Sequence, residues 1–154
     1  MDNEELFLML EEGIALASEQ LTQGSALESF AMVLENDKNT RHISVDEMHS
    51  EARYEALLEV LRSEAEAENI IAIALLSNVT IPENFNAEVS TGIRIHVEEK
   101  QRPLQNTSSQ NIHDKLSARL LYIPYQLFKT TTNETVQIQL HNPIPVSFAC
   151  EIFK

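Results

Sequence analysis

Apolar residues recur at Leu6, Leu10, Ile14, Ala17 and Leu21, while Glu4, Glu5, Glu11, Glu12 and Glu19 fall mostly between them, a pattern that predicts an amphipathic helix. Asp2 or Asn3 can cap its start, Glu4 and Glu5 suit the positive end of its dipole, and Gly24 closes it. Residues 30–34 (Phe-Ala-Met-Val-Leu), the polar run 35–39 and residues 40–45 then read as strand, turn, strand. Ser44-Val45-Asp46-Glu47 carries a capping-box pattern, with Asp46 as a competing N-cap, and opens a second helix running to about Ala67. Tyr54, Leu57, Leu58, Leu61 and Ala65 form its inner stripe, and Glu47, Glu51, Glu55 and Glu59 line its outer face at four-residue steps. Like charges at that spacing cost a few tenths of a kcal/mol per pair, so packing of the inner stripe must outweigh them.

The run 70–76 is too short for a typical core helix and rich in Ile, which predicts a central strand covered on both faces. Ile93, Ile95 and Val97 alternate with Arg94, His96 and Glu98, the period-two signature of a strand with one wet face. Residues 100–115 hold few apolar side chains and are expected to form a mobile loop. Strand character resumes over 116–128, with Pro124 favouring an edge or a bulge. It continues at Val136, Ile138 and Leu140, and then over 146–153. The expected fold is a single α+β domain, residues 1–154, with one mainly antiparallel sheet of five to six strands carrying two helices, in the order α-β-β-α-β-β-β-β.

That order resembles the roadblock and longin scaffolds, small helix-and-sheet domains that dimerise and act as platforms. The hairpin after residues 30–34, the strand 93–97 and the Leu120…Pro124-Tyr125 segment also resemble uncharacterised small bacterial proteins of unknown function. Neither resemblance implies an activity.

Charge narrows the partners. With 24 acidic against 11 basic residues the net charge is −13, which repels polyanions and excludes nucleic acid as an expected partner. The longest apolar run is far short of the ~20 residues that cross a bilayer, so no membrane span is expected. One cysteine, Cys150, permits no intramolecular disulfide and no cysteine-based zinc cage; together with the acidic first residues it implies a cytoplasmic protein. Three glycines, Gly13, Gly24 and Gly92, leave neither a phosphate loop nor a dinucleotide fingerprint, and no cofactor is expected.

His49-Ser50-Glu51 near the start of the second helix resembles the His-x-Glu of zinc-dependent deaminases. The two thiolates that family needs are absent from this chain, which excludes that chemistry and leaves no metal site assigned. Tyr122 and Tyr125 form the densest aromatic patch and are candidate interaction residues together with Glu47, Glu51, Glu55 and Glu59. The reading that follows is a non-catalytic acidic interaction module. It self-associates through the 122–128 edge or a helix face and binds a basic protein, an immunity or antitoxin protein being one concrete form. The alternative is an enzyme whose site gathers His42, His96 or His141 with carboxylates, which requires those side chains to converge in one pocket.

Overall fold

A computed structural model describes residues 4–23, 27–46, 50–101, 115–129, 136–148 and 152. Helix α1 (Glu4–Thr22) leads into strands β1 (Phe30–Glu35) and β2 (Thr40–Ile43), and helix α2 (Ser50–Ala65) follows. Five strands complete the chain: β3 (Ile70–Thr80), β4 (Thr91–Gln101), β5 (Lys115–Lys129), β6 (Val136–Leu140) and β7 (Ile144–Phe148). Every pairing is antiparallel, and the lanes run β2-β1-β3-β4-β5-β6, with β7 also pairing β5. The fold is therefore α+β, with two helices on one curled antiparallel sheet. The expected caps at Asp2, Asn3 and Gly24, Glu47 of the expected capping box, and residues 102–114 of the expected loop lie outside the described residues. Lys100 and Gln101 belong to β4, and Lys115 to β5.

The extra strand has a local cause. Tyr125 pairs with Leu140 and Tyr122 with Ile144, so three residues, His141 to Pro143, lie opposite two, Ile123 and Pro124. β6 and β7 are thus one long lane along β5, split by a bulge. Pro124 has no N–H to offer, and its carbonyl instead accepts the N–H of His141 at 2.8 Å. The irregularity expected at Pro124 falls on the facing strand.

Alternation along the strands builds two cores. On one face, Phe30, Met32, Ala74, Leu76, Ile93 and Ile95 meet α1. The buried line of α1 is Met9, Gly13, Ala17 and Leu21, whereas Leu6, Leu10 and Ile14 form a half-buried flank. Gly13 sets the spacing, because a Cβ there would stand 3.2 Å from both Leu76 Cδ2 and Met32 Sδ. The opposite face carries Ala31, Val33, Ile73 and Leu75 against Leu57, Leu58 and Leu61 of α2. The 70–76 run is covered on both sides as its composition requires, with a bulge where Leu34 pairs Ala72 and Glu35 pairs Ile70.

The face of β4 expected to be wet is buried at His96 and Glu98 and stays partly exposed at Arg94. His96 and Glu98 point to the α2 side and have no exposed surface; Ile152 belongs to that core and donates its N–H to Glu98.

β4 also meets its surroundings closely at Gly92, where an added Cβ would lie 2.6 Å from Ile81 Cδ1 and 3.1 Å from the carbonyl oxygen of Ile123. Gly92→Ala is expected to lower the unfolding free energy by about 1–3 kcal/mol, read from the urea midpoint at unchanged slope.

Candidate functional site

Arg94, His96 and Glu98 form a polar row in the middle of the α2-side sheet face. Their cross-strand neighbours are Ser77 and Tyr122, Leu75 and Leu120, and Ile73 and Ala118 respectively. His96 Nε2 lies 2.5 Å from Glu98 Oε2. Glu98 also accepts the backbone N–H of Ile152, at 3.0 Å to Oε1 and 3.2 Å to Oε2. A buried carboxylate is tolerable only when paired and hydrogen-bonded, and this one is both. Neither side chain of the pair has exposed surface.

The other histidines stand elsewhere. His42 is exposed on β2, stacks on Phe30 with ring centroids 5.0 Å apart, and shares the α1 face through its register with Met32. Three strand spacings, roughly 14 Å, and the thickness of the sheet separate it from His96. His141 sits at the β6–β7 bulge, with Nδ1 2.8 Å from Glu88 and Nε2 3.3 Å from Gln126 Oε1, beside a cavity of about 360 Å³. The three do not converge, and among the described residues no group of His, Cys, Asp and Glu is arranged to hold a metal ion. His49 and His113 lie outside the described residues.

The acidic ridge is a surface feature of α2. Glu51, Glu55 and Glu59 are exposed at successive turns, and Glu47 lies outside the described residues. Glu51 and Glu55 border an open cleft of about 540 Å³ that also involves Tyr54, Ser77 and Arg94. Arg94 Nη1 donates to Tyr54 Oη at 2.6 Å and its guanidinium lies 5.9 Å from the Tyr54 ring centroid, so the cleft has a fixed Tyr–Arg wall. Arg53 Nε donates to the Ser29 carbonyl at 2.7 Å and holds α2 to the entry of β1. Elsewhere on α2, Arg41 reaches Glu64 at 2.9 Å and keeps that carboxyl below its ordinary range, chiefly through the hydrogen bond. Glu51, Glu55 and Glu59 have no such cation among the described residues.

Tyr122 and Tyr125 are 8% and 5% exposed and therefore present almost no surface to a partner. Tyr122 lies where β5 runs between β4 and β7 and packs in a small cluster with Ile81 and Leu120, whereas Tyr125 joins the α1-side core. Tyr122 packs on Phe85 with centroids 5.4 Å apart. Tyr125 donates to Asn78 Oδ1 at 2.7 Å; burial raises its hydroxyl pKa, and the Asn78 bond offsets part of the rise. The exposed apolar side chains of this region come just afterwards, at Leu127, Phe128 and Leu140. Their signal in the chain is the scarcity of carboxylates, since between Lys115 and Cys150 the only acidic residue is Glu134.

No family model matches this chain, and neither curated proteins nor solved structures give a significant match. Fold and site together define two helices on an antiparallel sheet, with a buried His96–Glu98 pair and an acidic helix face. Among its described residues no helix is long and apolar enough to cross a membrane.

Glu98→Ala leaves His96 and the Ile152 N–H without their carboxylate and is expected to cost about 3–5 kcal/mol in urea unfolding. His96→Leu combined with Glu98→Met matches the apolar neighbours and is expected to cost less than Glu98→Ala alone. In an absorbance titration the Tyr125 hydroxyl should ionise above the usual tyrosine value, and Tyr125→Phe should remove that step. Because the folded pKa is raised, the associated stability is complete below the unfolded value near ~10 and disappears as pH rises through the folded one.

Proposed function

We propose that the protein is a non-catalytic interaction module that presents the acidic face of α2 to a basic protein partner. The observation that carries this reading is the line of Glu51, Glu55 and Glu59, exposed at four-residue steps and without a neutralising cation among the described residues. A chain of net charge −13 attracts basic proteins from a distance, and a one-sided ridge gives that attraction an orientation. The Tyr54–Arg94 wall beside Glu51 and Glu55 adds a fixed aromatic surface against which a partner side chain can pack. A sealed His96–Glu98 pair and dispersed histidines favour binding over catalysis. The single cysteine agrees with a reducing, cytoplasmic setting.

The test uses a fluorescent oligolysine peptide as the basic probe, with anisotropy recorded at low and high salt. Affinity is expected to fall at least about tenfold as salt rises. Reversing Glu51, Glu55 and Glu59 to Lys should remove the binding, whereas reversing the exposed Glu4, Glu11 and Glu19 of α1, an equal change in net charge, should weaken it far less. Equal losses in the two variants would show a diffuse charge effect and remove the ridge from the argument.

A further inference from the structure

β5 runs past the end of β4. Its last pairing with β4 joins Pro124 to Gly92, but pairing with β6 continues from Tyr125 to Lys129. Among the described residues, the β4-side edge of residues 126–129 therefore has no strand beside it. A notch of about 550 Å³ opens along that edge, between Val89–Thr91 and Tyr125–Leu127. The ribbon exposes apolar side chains on both of its faces: Leu127 (44%) and Leu140 (42%) share the face of Tyr125, and Phe128 (45%) lies on the other. An open ladder edge flanked by apolar side chains is a template for strand addition.

The charge pattern identifies the occupant. The chain carries 24 acidic residues, yet 126–129 and 136–140 include none, and their only charge is Lys129. A copy of net charge −13 meets another copy with least repulsion at this end of the sheet. We propose that a second copy of this chain occupies the notch, pairing its β5 overhang with this one so that two sheets join into one. A two-fold axis makes that pairing antiparallel, as the rest of the sheet already is. Centred on Leu127, it sets Leu127 against Leu127 of the other copy and Gln126 against Phe128, each pair on one face of the joined sheet and with no like charges opposed. The contact is short, so association is reversible and concentration-dependent. It is independent of the acidic ridge.

Sedimentation velocity on the full chain across about a hundredfold range of concentration tests it. The mass should rise from 17.4 kDa towards twice that value, and added salt should leave the rise unchanged or strengthen it, the opposite sign to oligolysine binding. Leu127→Glu with Phe128→Glu should weaken association at least about tenfold, whereas Phe7→Glu with Leu8→Glu, at the other exposed apolar pair, should not. Hydrogen exchange on the unmodified chain guards against a variant that fails to fold: the amides of 126–129 should gain protection as concentration rises. A mass of 17.4 kDa throughout, or association that survives the 127/128 change and is lost with the 7/8 change, overturns the proposal.

Discussion

Glu98 is a carboxylate with no exposed surface at the centre of a sheet, and such a group is stable only while its hydrogen bonds are made. It makes them to His96 on its own strand and to the backbone of Ile152, a contact across 54 positions of sequence. The covering of the α2-side face depends on this arrangement. α2 shields β1 and β3, and Ile152 joins the same core. An apolar pair at 96 and 98 would pack there without specifying where Ile152 sits; the carboxylate does specify it, because the Ile152 N–H answers it.

The sheet also separates two kinds of surface. Each helix carries a row of acidic side chains, whose repulsion is met by exposure or by a cation, Lys38 at Glu5 and Arg41 at Glu64. From β5 onward the chain is nearly free of carboxylates, and there the lanes end unevenly, with β5 reaching beyond β4. An exposed acidic helix face and an exposed apolar strand overhang are thus separate features of one fold.

Periodicity made most of this architecture legible. Ile93, Ile95 and Val97 identified β4, and four-residue steps placed Glu51, Glu55 and Glu59 on one exposed helix face. The same alternation misassigned His96 and Glu98, because polar residues at every second position look alike whether water or a distant segment covers them. Tyr122 and Tyr125 were drawn towards an edge by Pro124, and the bulge at His141–Pro143 is what lets a proline sit in an interior lane. The overhang of β5 depends on where two neighbouring strands stop, and strand ends are set by pairing partners rather than by local composition.

The 54-residue separation between Glu98 and Ile152 also has a meaning in time. As the chain is made, β4 and its carboxylate leave the ribosome before the backbone group that completes their environment exists. At ordinary elongation speeds of ~5–20 residues per second, that interval is roughly 3–11 seconds. Throughout it the α2-side face holds α2 but lacks the Ile152 contact, and Glu98 gains its backbone partner only when that residue arrives.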